Sequence, residues 1–315
     1  MRKITLTIFL VSVSLLGKGQ SGMQFTQYIF NQFYLNPAAA GLSGKTNIQV
    51  IGRSQYSSYN ADIDPGGSIL NSVISADLPL TKLNGGLGLY FSNNNTTKVQ
   101  SNQEFHLAYS FYKKLRTNVL SFGIAGGLNN NKLNGENYRP RDKNDPLIPS
   151  TTLNSFTPNF NLGVMLFNPN YQIGLSARNI LSSKQTVADN QSITTDSKQY
   201  TLSGKMDFGV TYTLDVSPMF IVKSDLNTVS TEIGALATYN QTYWGGLNYR
   251  WQDAASVLVG GNFLRNTVKV GYAIDFVTFG AYAKAPLSQE IFLRYGLNAP
   301  KFGKKSIIKT PRYSF

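Results

Sequence analysis

Between Tyr243 and Phe276 three short runs alternate apolar and polar residues. Tyr243, Gly245, Leu247, Tyr249 and Trp251 share one parity, with Asn248, Arg250 and Gln252 on the other. Val268, Val270, Tyr272, Ile274 and Phe276 likewise stand against Thr267, Lys269, Gly271, Ala273 and Asp275. A two-residue period of this kind predicts β-strands with one apolar face, and tight turns at 253–254 and 265–266 predict an antiparallel meander. Extended along the chain, the pattern predicts fourteen strands: 45–56, 67–78, 83–92, 99–112, 117–129, 157–167, 170–180, 199–214, 217–227, 230–239, 243–252, 255–264, 267–276 and 287–297. Ahead of them, Phe25, Tyr28, Ile29 and Phe33 fall along one side of a short helix that Asn36-Pro37 would stop.

The connections sort by parity. Links near 168–170, Val216, 240–242 and 265–266 are short, whereas those at 130–156, 181–198 and 277–286, on the opposite end, are long. An outer-membrane barrel has short periplasmic turns and long outer loops, and strands near ten residues suit a tilted crossing. A soluble sandwich or propeller has no reason to sort its loops this way. The predicted fold is all-β: an antiparallel transmembrane barrel whose closure leaves no unpaired edge in lipid.

Composition sharpens this picture. Charged residues are only 14% of the 315, Phe and Tyr number 19 and 18, and cysteine is absent. Arg2 and Lys3, the apolar run 4–16 and Gly17-Lys18-Gly19 read as a secretory signal cut before Gln20. An exported chain without cysteine draws its stability from ladder and packing rather than disulfides. The formal charge of +13 falls to +10 without Arg2, Lys3 and Lys18. After export, that excess points to anionic headgroups or an acidic protein rather than nucleic acid. The expected organisation is signal 1–19, N-terminal segment 20–44, barrel 45–297 and basic tail 298–315. In the tail, Lys301, Lys304, Lys305, Lys309 and Arg312 form a candidate periplasmic docking element.

The polar strand parity carries Glu104, Arg178, Lys205, Asp207, Lys223, Asp225, Glu232, Arg250, Lys269, Asp275, Glu290 and Arg294. Facing lipid they would be costly, so the pattern predicts a lumen charge network. Its interleaved signs predict pairing of Lys205–Asp207 with Lys223–Asp225 and of Lys269–Asp275 with Glu290–Arg294, as in a filled rather than open lumen. His106, the one histidine, shares that parity with Glu104 and Ser110. Spacings of two and four along a strand place these roughly 7 and 14 Å away, too far for a catalytic relay. No His/Cys cluster suggests a metal, and no cofactor motif is present; the chain reads as non-enzymatic.

The N-terminal segment also carries a resemblance. Gln24, Phe25, Gln27, Tyr28, Phe30, Asn31, Leu35, Asn36, Pro37 and Gly41 match the opening signature of the PorP/SprF family, outer-membrane proteins of the type IX secretion system in Bacteroidetes. Arg53-x-Gln55-Tyr56, Asp77-Leu78-Pro79-Leu80, Tyr171 to Ser176, Trp244 to Arg250, Gly271 to Asp275 and Ser288 to Ile291 resemble further family segments in order. Gln289 and Gln199 stand where the family commonly has histidine, so no role of those histidines carries over.

The resemblance implies export or cell-surface anchoring of a dedicated protein with a type IX C-terminal domain, as for gliding adhesins. It also implies links to a PorK–PorN-type ring or a peptidoglycan-binding periplasmic protein. The aromatic residues of 24–41 need burial, which predicts that the segment plugs the periplasmic mouth. Loops 130–156 and 181–198 are the expected substrate contacts. The rival reading is an outer-membrane channel for small solutes.

Overall fold

The computed structural model describes residues 22–57, 69–95, 100–135, 151–181, 184–188, 191–194, 197–280 and 285–299. The signal at 1–19 and the tail residues Lys301, Lys304, Lys305, Lys309 and Arg312 lie outside these residues.

The first half of the barrel comprises β1 (Lys45–Gln55), β2 (Ile69–Leu80), β3 (Gly85–Asn95), β4 (Gln100–Leu115), β5 (Asn118–Asn134), β6 (Thr152–Asn168) and β7 (Tyr171–Arg178). A separate hairpin, β8 (Lys184–Ala188) with β9 (Gln191–Thr194), interrupts the order. The second half comprises β10 (Gln199–Met206), extended by β11 (Phe208–Gly209), then β12 (Leu214–Ser224), β13 (Val229–Tyr239) and β14 (Tyr243–Arg250). It ends with β15 (Ala254–Phe263), β16 (Val268–Val277) and β17 (Leu287–Asn298). Each barrel strand pairs antiparallel with its sequence neighbours, β10 pairs β12, and β1 pairs β17 from Lys45↔Asn298 to Ser54↔Gln289. Counting β10 and β11 as one, fourteen strands close a barrel.

The burial pattern inverts that of a water-soluble core. On β1, Ile48 and Val50 are exposed while Asn47, Gln49 and Arg53 are buried. On β14, Leu247 is 66% exposed and Arg250 only 1%. Apolar side chains turned outward and polar ones turned inward identify hydrocarbon as the outer solvent. An outward groove of about 640 Å³ between β4 and β10, lined by Phe122, Ile124, Leu162, Val164, Leu175 and Tyr200, belongs to that lipid face. No helix among the described residues is long and apolar enough to cross a membrane.

Short links follow β2, β4, β6, β13 and β15, and the long segments lie at the other end. One turn moves. The link expected at Val216 occupies 210–213 instead, because Val216 pairs with Phe208 and the strand resumes at Leu214. Asp207 breaks the preceding strand: its amide bonds to the Asn170 carbonyl at 2.7 Å, and its carboxylate accepts from the Ser217 hydroxyl.

Candidate functional site in the barrel lumen

The N-terminal segment forms three short turns, Tyr28–Phe30, Gln32–Leu35 and Pro37–Ala39, rather than one helix. Asn31 breaks the path with φ −113° and ψ 45°. Asn36 is extended at φ −143°, as expected before proline, and its Oδ1 accepts the Ala38 amide at 2.9 Å.

These turns are not confined to the mouth expected for them; they run lengthwise through the lumen. At the short-turn end the Gly41 amide donates to Asp77 (2.9 Å), and Gly41 has φ +68°, a conformation that disfavours side chains. At the long-loop end Thr26 lies among residues near the far ends of β1, β14, β16 and β17. Phe25, Tyr28, Phe33, Tyr34 and Leu35 are buried against Ile51, Tyr90, Leu258 and Phe292 of the wall. The Phe30 ring stacks on Phe292 at 5.4 Å and meets Trp244 at 4.6 Å.

A strap of non-strand backbone inside a barrel leaves carbonyls that must find donors. Wall serines supply them. Ser176, Ser121 and Ser110 donate to the carbonyls of Leu35 (2.8 Å), Ala38 (2.6 Å) and Ala40 (2.8 Å), and Tyr112 also donates to Ala40. Asn36 Nδ2 reaches the carbonyls of Val164 (3.1 Å) and Leu175 (3.2 Å) on the adjacent β6 and β7. Glycines supply the room: a Cβ on Gly88 would strike the Phe33 ring, on Gly123 the Ala38 amide, and on Gly163 the Asn36 side chain.

Thr26 is the hub of the charged end. Its amide and that of Gln27 each donate to Glu290 at 2.8 Å, and its carbonyl accepts from Asn248 at 3.1 Å. Its hydroxyl donates to Asp275 (2.7 Å) and accepts from Arg53 (2.9 Å) and Arg250 (3.3 Å). Around it, Arg53 pairs Asp275 at 2.6 Å and Glu290 at 3.4 Å, while Arg250 pairs Glu232 at 2.8 Å and Asp253 at 2.9 Å. All are almost fully buried, so each charge depends on its partners rather than on water. A second pair, Arg178–Glu104 at 2.6 Å, spans β7 to β4 beside Tyr34, whose ring lies 4.1 Å from the Arg178 guanidinium.

The charge network therefore differs from the one expected. Glu104, Arg178, Glu232, Arg250, Asp275 and Glu290 are paired, but the predicted cross-strand sets are not formed. Register places Lys269 opposite Arg294, a like charge, and Lys269 instead caps the Phe30 ring at 4.8 Å. Lys205 pairs with Asp207 on its own chain segment at 2.7 Å, half-exposed, while Lys223 sits opposite Thr201 and donates to the Met23 carbonyl and Gln24, each at 3.0 Å. Asp225 lies in the turn after β12, where it accepts from the amides of Asn227 and Thr228. A two-residue period assigns faces but not register, and register decides which charges meet.

His106 packs on Tyr90 at 5.1 Å, with Nε2 3.0 Å from Asn129 Oδ1 and Nδ1 3.4 Å from Asn161 Nδ2. Ser110 and Glu104 are committed to Ala40 and Arg178. The strand geometry gives no Ser–His–Glu relay. Four site residues were not singled out as lumen groups from the sequence: Thr26, Arg53, Asp77 and Asp253. Arg53 shares its parity with Gln49 and Gln55, which marks it as inward; Thr26 had no strand pattern to reveal it.

Among solved structures, the chain is similar to the CymD monoaromatic hydrocarbon channel at 10% identity and TM-score 0.51, covering 91% of this chain and 96% of that one. It is also similar to a Pseudomonas aeruginosa FadL homologue (10% identity, TM-score 0.47, 84% and 92%) and to CdiB from Acinetobacter baumannii (10%, 0.40, 80% and 60%). No curated protein matches the sequence. The likeness to CymD supports the barrel fold alone. Residues 17–295 match "Type IX secretion system membrane protein PorP/SprF". With a closed barrel, a lipid-facing exterior and that match over most of its length, the chain belongs to the PorP/SprF family of type IX secretion system membrane proteins.

Proposed function

We propose that this barrel supports export or cell-surface anchoring, or both, of a dedicated protein with a type IX C-terminal domain, its short-turn end facing the periplasm and its long loops facing outward. The observation that carries this reading is the occupied lumen. Residues 23–41 are bonded to strands around the barrel and packed along its length, so the rim and outer loops are the surfaces left for a large partner. A solute channel uses its lumen as the path; an anchoring barrel needs a rigid frame. Partners on the periplasmic side are a PorK–PorN-type ring or a peptidoglycan-binding protein. The type IX cargo remains the chief partner, with gliding adhesins as one class. Residues 136–150 of the expected contact loop lie outside the described residues.

The test joins two measurements. Tagged barrel extracted gently from its native membrane should co-purify a large protein with a type IX C-terminal domain. In planar bilayers it should pass little current. Recovery of the barrel alone, together with steady ion conductance, would move the assignment to a channel.

A further inference from the structure

The inward arginines are not all treated alike. Arg53, Arg178 and Arg250 each hold a carboxylate at 2.6 to 2.8 Å, with side chains only 1% to 5% exposed. Arg294 shares their inward parity on β17, yet it forms no hydrogen bond or ion pair with any described residue. Its opposite positions on the neighbouring strands are Lys269 on β16 and Gln49 on β1. Gln49 is turned to Asn31, to which its amide donates at 2.5 Å. Lys269 is a like charge, rests over the Phe30 ring and has no ion pair among the described residues. Like charges directly opposite on a ladder repel.

The chain has no carboxylate left to balance this pair. Two described acids lie near enough for their charge to act on it, and both are committed. Asp77 accepts from the Gly41 amide and from Asn47, while Asp207 holds Lys205 and accepts from Ser217. Asp215, also at this end, bonds to neither cation. The acids outside the described residues all belong to connections of the long-loop end, within 58–68, 136–150, 189–190 and 195–196. Residues 300–315 add basic side chains and no acidic ones.

This part of the lumen is also reachable. Lys269 and Arg294 are half-buried near the short-turn ends of their strands. Lys205, whose charge also acts on Lys269, has a side chain 24% exposed. The network around Thr26, at the far end, is sealed by comparison.

We infer that Arg294 and Lys269, with Lys205 at the edge, bind a phosphate dianion, free or as a monoester, that enters through the short-turn mouth. The guanidinium presents five donors in a rigid fork suited to oxyanions, and the ammonium adds a mobile point charge. Lys205 is already matched by Asp207, so two positive charges remain for the ligand. A carboxylate would balance one of them; a phosphate dianion balances both and turns their repulsion into a shared attraction. The site does not depend on the export and anchoring reading.

The test uses the folded full chain in a detergent without phosphate. Inorganic phosphate is titrated by calorimetry at mildly alkaline pH, with ionic strength held constant by chloride. Saturable one-to-one binding is expected, weakened at least tenfold in Arg294→Gln and in Lys269→Gln. Lys82→Gln, which removes an exposed charge in the turn after β2, should bind as wild type does. Glycerol phosphate separates the sources: binding equal to that of phosphate admits monoesters, and its exclusion limits the site to the free ion. Urea midpoints add a readout that a purely structural arginine would not give. In phosphate-free buffer Arg294→Gln should be at least as stable as wild type, because a repulsion is gone. Added phosphate should raise the midpoint of wild type only. No saturable binding to wild type overturns the proposal, whether or not the variants fold. Equal binding by folded Arg294→Gln overturns it too, as does a less stable Arg294→Gln beside a wild type that phosphate does not stabilise.

Discussion

Thr26 shows how much one residue can hold. Its hydroxyl serves Asp275, Arg53 and Arg250 at once, in a place without bulk water. Thr26→Val keeps the shape and removes the hydroxyl, leaving charged groups short of a partner. The expected cost is about 1–3 kcal/mol, read as a lower urea midpoint of the folded barrel. Arg53→Ala should cost more, about 3–5 kcal/mol, since it leaves Glu290 without its cation and Asp275 with only the longer contact to Arg250 at 3.6 Å. Equal urea midpoints for Arg53→Ala and wild type would mean that this end of the lumen is wetter than its burial indicates. Arg53 was readable as inward from parity. Its partners were not, because Asp275 and Glu290 lie more than two hundred positions away in sequence.

At the scale of elements, the strap and the strands solve one another's backbone problem. The strap has no ladder, so serines and Asn36 complete its hydrogen bonds; the strands have glycines where the strap touches them. Gly163→Leu sets a side chain against Asn36 and should displace the strap while leaving β5–β6–β7 pairing intact. The expected readout is faster protease cleavage within 24–41 in a barrel that still resists heat denaturation on a gel; unchanged cleavage would mean the strap tolerates a bulky wall. The alternation within strands located most of them to within two or three residues, but β5 and β6 run about five residues further, to Asn134 and from Thr152, into the stretch expected as the loop 130–156. It failed at 207–216, where Asp207 leaves the ladder and the turn shifts, and it described the strap as one helix where Asn31 splits it.

At the scale of the whole molecule, closure and filling are separate achievements. Pairing of β1 with β17 removes both sheet edges from the lipid, as the sorted loops and the cost of an unpaired edge in lipid had led one to expect. The strap is buried against the inner wall, and whether it also blocks passage is a matter for conductance. Deletion of residues 24–41 should raise conductance in planar bilayers if the barrel still folds, whereas wild-type protein should stay near baseline. Equal currents from both would show that the strap does not control passage.

By itself the sequence assigned lipid-facing and inward residues along the regular strands, because a period of two is a local property of extended backbone, but not at Asp207 and Asp225, which lie in a strand break and a turn. It also determined the strand count and the sorting of short from long connections, which follow from where apolar runs begin and end. Only the tertiary structure decided register, and with it that Lys269 meets Phe30 rather than a carboxylate. It alone decided that the strap runs the length of the lumen. Those outcomes depend on groups distant in sequence sharing a confined, poorly solvated space, where each charge takes the partner that geometry brings within reach.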